Sequence, residues 1–99
     1  MSDRRPESGV RYVLARARVE PDRLVYEGFA HLPDADVPLV VEVAIPAGTV
    51  HATSKSTEGV TEERAADLAR NVAPLVRAAT KAEIASGEAP PRKIVRWRA

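Results

Sequence analysis

The chain has no cysteine, only four aromatic residues among 99, and almost no net charge. Without cysteine it can build no disulfide framework, thiolate metal site or thiol nucleophile. With Tyr12, Tyr26, Phe29 and Trp97 as its only aromatics, the core has to be assembled largely from Val, Ala, Leu and Ile. No apolar run approaches the roughly 20 residues of a membrane helix. Met1 to Pro6 lacks the apolar stretch of a signal peptide. A soluble, cytoplasmic domain with no membrane partner is therefore expected. The balance of 15 Lys and Arg against 14 Asp and Glu is far from the strongly basic profile of a dedicated nucleic-acid binder.

What is present describes one globular unit. Hydrophobic residues make up 44% of the chain and charged residues 29%, a globular and not a disordered composition. The length fits a single domain. Residues 1–9 are polar, with Pro6 and Gly9 as breakers, and read as a flexible tail ahead of a domain over 10–99.

Alternation predicts a first strand from Val10 to Val19, and Glu20-Pro21-Asp22-Arg23 predicts a tight turn. A second strand follows from Leu24 to Leu32. Setting Glu20 opposite Arg23 pairs Val19 with Leu24, Ala17 with Tyr26, Ala15 with Gly28 and Val13 with Ala30, an apolar face for the core. The other face then carries Tyr12, Leu14, Arg16 and Arg18. A third strand spans Val37 to Ile45 and stops at Pro46-Ala47-Gly48. Residues 49–59 read mostly as loop, with a short strand over 49–53 left open.

A long helix is expected from Thr61, its N-cap, to a stop at Gly87. Ala65, Leu68, Ala69, Val72, Leu75, Val76 and Ala79 recur at the helical period. Pro74 inside this run predicts a kink. After Pro90-Pro91, Lys93 to Arg98 alternates again as a fourth strand. The expected fold is α+β: βββαβ, a four-stranded mixed sheet of order 3-2-1-4. The last strand runs parallel to the first through a right-handed crossover, and one helix covers one face.

Function is then expected on the face that no element covers. Tyr12, Leu14, Val25, Phe29, Val40 and Ile94 are assigned to it, an apolar group that suggests contact with a protein partner or a second copy in a homodimer. The competing explanation is that small domains always leave some apolar surface outside.

A second feature is charge. Residues 34–63 balance to −5 and residues 64–99 to +5. In the expected sheet, Arg96 and Arg98 lie near Arg16 and Arg18, a basic edge that could take RNA or single-stranded DNA. Arginines on an edge strand also serve to block pairing with other chains, and the neutral overall balance favours that explanation.

Catalytic chemistry finds little support. His31 and His51 have no metal-ligand spacing, and no metal or cofactor motif is present. Ser54, Lys55 and Ser56 form a hydroxyl-rich loop that could hold an anion, but the glycine frame of a phosphate loop is missing. No nucleophile with an argued base emerges. The expectation is a non-catalytic interaction module without cofactor. Nucleic-acid binding stands as the alternative, and a small ligand-binding protein or enzyme comes third.

Overall fold

The computed structural model describes residues 9–45, 47–55 and 57–98. The expected tail lies outside the described residues except for Gly9, and so do Pro46 and Ser56. The elements follow in the order β1 (Val10–Glu20), β2 (Arg23–His31), β3 (Asp36–Ala44), β4 (Val50–Ser54), α1 (Glu62–Ser86) and β5 (Lys93–Arg98). They form an α+β domain, a five-stranded antiparallel sheet ordered β4-β3-β2-β1-β5 with one helix against it. Among the described residues, no helix is long and apolar enough to cross a membrane.

Two corrections to the expected topology share one cause. Residues 50–54, expected mostly as loop, form β4 beside β3, so the sheet has five strands and not four. The extra strand reverses the chain before the helix. The helix therefore carries it from one sheet edge to the other, and β5 arrives antiparallel to β1, not parallel. At 1.5 Å per residue, the 25 residues of α1 reach about 37 Å. That is close to the molecule's longest extent of 39 Å.

The helix ends as its sequence predicts. The Thr61 side chain accepts a hydrogen bond from the Arg64 amide at 3.1 Å. Glu62 and Glu63 occupy the first turn, where carboxylates complement the helix dipole. Gly87 closes the helix in the left-handed region at φ 77°. The helix runs unbroken through Pro74. Ala65, Leu68, Ala69, Val72 and Val76 face the sheet, and Thr80 is buried with its hydroxyl donating to the Val76 carbonyl.

The register of β1 on β2 decides which face is which. Glu20 lies opposite Arg23, Val19 opposite Leu24 and Arg18 opposite Val25, as the alternation predicts. The register then shifts between Arg16 and Arg18, so Ala17 is an extra residue, a β-bulge. One extra residue turns every following side chain to the other face. Arg16 now pairs with Tyr26, Leu14 with Gly28 and Tyr12 with Ala30. Tyr12, Leu14 and Ile94, expected on the open face, are all buried in the core beneath the helix. Val13, Ala15, Val95 and Trp97 take the open side instead.

Burial of the larger pair is the physical reason. Both faces of β1 are apolar, and Tyr12 with Leu14 removes more apolar surface from water than Val13 with Ala15. At about 25 cal/mol per Å² the difference favours the bulged register. Strict alternation also puts Tyr12 and Leu14 on the same face as Arg18, and only the inserted residue separates them; Arg16, on the N-terminal side of the bulge, stays in phase with Leu14.

Candidate interaction face

Cross-strand pairing arranges the open face in rows. Val95, Val13, Phe29 and Pro38 lie side by side across β5, β1, β2 and β3. The next row is Lys93, Ala15, Glu27 and Val40, continued on β4 by Thr53. On the other side stand Trp97, Arg11, His31 and Asp36. The centre of the face is thus an apolar strip with charged groups along its margins.

Three large apolar side chains of this face are exposed, one in the central row and one on either side of it. Trp97 is 57% exposed, Phe29 44% and Val40 38%. Two ring contacts steady the aromatics. The Arg11 guanidinium lies 5.3 Å from the Trp97 ring centroid, a cation–π distance. Phe29 stacks on His31 with centroids 5.8 Å apart. The His31 Nδ1 is 2.7 Å from an Asp36 carboxylate oxygen, which fixes the imidazole plane and with it the stacked ring. Between β2, β3 and β4 the face dips into an open groove of about 480 Å³, lined by Glu27, Phe29, Pro38, Val40, Thr53 and Lys55.

The expected site residues divide accordingly. Phe29 and Val40 are on the open face and exposed. Val25 has the open-face phase but is buried, beside the ion cluster in which Arg23 contacts both Glu20 and Glu42. Tyr12, Leu14 and Ile94 belong to the core, and burial pushes the Tyr12 hydroxyl pKa up. Val13, Val95 and Trp97 also belong to this face, although strict alternation assigned them to the helix side. The available signal was that strict alternation left Tyr12 and Leu14, the bulkiest apolar side chains of β1, on the uncovered face.

The four arginines of the expected basic edge do not assemble. Antiparallel pairing sets Arg98 opposite Val10 and Arg96 opposite Tyr12, at the far end of β1 from Arg16. Arg16 is engaged locally: its guanidinium donates to the Pro90 carbonyl at 2.6 Å. Arg18 lies on the open face opposite Val25.

The expected anion loop is also partly committed. Ser54 donates its hydroxyl to the Ala65 carbonyl at 2.6 Å. Lys55 is exposed, but the hollow it shares with Ser54 is also lined by Glu62, a like charge to any anion. Ser56 lies outside the described residues. Among the described residues, no three His, Cys, Asp or Glu side chains come together as a metal site.

No family model, no curated protein and no solved structure matches this chain.

Proposed function

We propose that the chain is a non-catalytic interaction module that docks another protein on its uncovered sheet face. One observation carries this reading: Trp97, Phe29 and Val40 stand exposed on one face, in and on either side of its central apolar row, on the side of the sheet away from the helix. An exposed apolar strip rimmed by charge is characteristic of an interaction surface. Nucleic-acid binding loses its main support with the dispersal of Arg16, Arg18, Arg96 and Arg98. Glu27, Asp36 and Glu42 on the same face would also repel phosphates.

Photo-crosslinking tests the reading. A crosslinker is placed at Val40, and a control at Ala78 on the outer side of the helix, in the cells the chain comes from. A discrete protein adduct from position 40 and none from 78 is expected. No adduct from 40, equal adducts from both, or an adduct that nuclease removes would overturn it.

A further inference from the structure

We propose that the layer closing this face is a second copy of the same chain, related by a two-fold axis that runs along the strands between β1 and β2. The proposal rests on the docking role above and names its occupant.

Charge supports it. On the open face, β5 and β1 contribute the cations Lys93, Arg11 and Arg18 against the anion Glu20, whereas β2 and β3 contribute the anions Glu27, Asp36 and Glu42 against Arg23, with Lys55 at the far rim of the groove, so the first side is net positive and the second net negative. The one cation on β2, Arg23, is engaged with Glu20 and Glu42. The face is therefore positive on one side of the axis and negative on the other. Rotation about that axis lays β1 over the partner's β2, and β5 over its β3. Cation-bearing strands then meet anion-bearing strands twice, which is the self-complementarity an isologous interface requires. A rotation axis across the strands would instead lay each sign on itself.

Shape supports it as well. The most exposed ring, Trp97, projects on the positive side, and the groove beside Phe29 and Val40 lies on the negative side. The same rotation keeps each residue in its own row, so each indole lies over the row of Asp36, beside the Pro38 end of the other copy's groove, at the modest crossing angle of aligned sheets. The area fits a weak, reversible dimer. The four overlapping strands β3, β2, β1 and β5, at about 4.8 Å spacing and about six to nine residues of 3.4 Å each, give a footprint of about 500 Å² per copy, the small end of specific interfaces.

Trp97 is the chain's only tryptophan, so its fluorescence reports on this contact without interference. Light scattering is expected to give twice the 10.7 kDa chain mass. Dilution to monomer should red-shift the Trp97 emission and open it to acrylamide. Phe29→Glu should weaken association by roughly thirtyfold or more, the scale of an interface hot spot. Lys93→Glu and Glu27→Lys should each weaken it, and an equimolar mixture of the two should restore it, because both contacts of the mixed dimer regain opposite charge.

A dimer whose Trp97 stays fully quenchable at every concentration would overturn the proposal, and so would a mixture no tighter than its parts. A strict monomer whose Val40 adduct has some other mass would overturn the second copy as occupant and leave the docking role standing. A strict monomer with no adduct would remove both.

Discussion

Gly28 lies directly across from Leu14 in the β1–β2 pair, at a point where the two strands leave no room for a side chain. A β-carbon on Gly28 would come within 1.9 Å of the Val13 carbonyl oxygen and 2.9 Å of the Leu14 Cα. Both are backbone atoms and cannot swing aside. The close approach comes where β1, shifted by its bulge, packs Tyr12 and Leu14 under the helix.

Gly28→Ala is therefore expected to destabilise the domain by about 3 kcal/mol, the upper range for a substitution that forces backbone apart. Urea denaturation measures it. A loss below about 0.5 kcal/mol would mean that the strands are not this close.

The assignment of faces can be tested by two pairs of truncations. Leu14→Ala and Ile94→Ala should each cost about 2–5 kcal/mol, as buried aliphatic side chains do. Val13→Ala and Val95→Ala, on the half-exposed face, should each cost no more than about 1 kcal/mol in the monomer. The opposite ranking would restore the unbulged register.

Tyr26 ties the sheet to the connection before β5, its hydroxyl donating to the Pro91 carbonyl at 2.8 Å. Burial raises its pKa above the ordinary 10.0, and Tyr12 is raised for the same leading reason. The folded state thus holds these protons more tightly than the unfolded chain does. Their contribution is fully present below pH 10.0 and is lost as pH rises from there through the raised values. Stability measured against pH should show this alkaline decline. Tyr26→Phe should cost about 1 kcal/mol at neutral pH and make the decline shallower. An unchanged alkaline slope would contradict the assignment.

The helix termini make a separate, local prediction. Thr61→Ala removes the acceptor for the Arg64 amide and should cost about 1 kcal/mol. Gly87→Ala forces a β-carbon into the left-handed region, for about 1–2 kcal/mol. Thermal unfolding of both variants, with association unchanged, would separate helix stability from the open face.

Much of this was legible in the chain. The strand limits of β1, β2 and β3, the turn at Pro21-Asp22, and the capped helix from Thr61 to Gly87 follow from local residue chemistry. The strand β4 was less legible because its five residues, Val-His-Ala-Thr-Ser, pair through backbone groups and carry no strong apolar period. The candidate face was half legible. Phe29 and Val40 could be placed from β2 and β3, whose alternation has no competing phase. Val13, Val95 and Trp97 could not, because β1 and β5 are apolar on both sides.

Cysteine, aromatic residues and net charge were the scarce quantities, and with so few aromatics the core of this α+β domain is mostly Val, Leu and Ala around Tyr12 and Tyr26. The aliphatic make-up of that core came from the amino-acid sequence by itself, together with the elements that local propensity and capping specify. Tertiary structure decided the phase of β1, the direction of β5, and the face on which Trp97 stands. The bulge at Ala17 is settled by which packing buries the larger side chains under the helix, β4 by backbone pairing with β3, and the direction of β5 by where the helix then returns the chain.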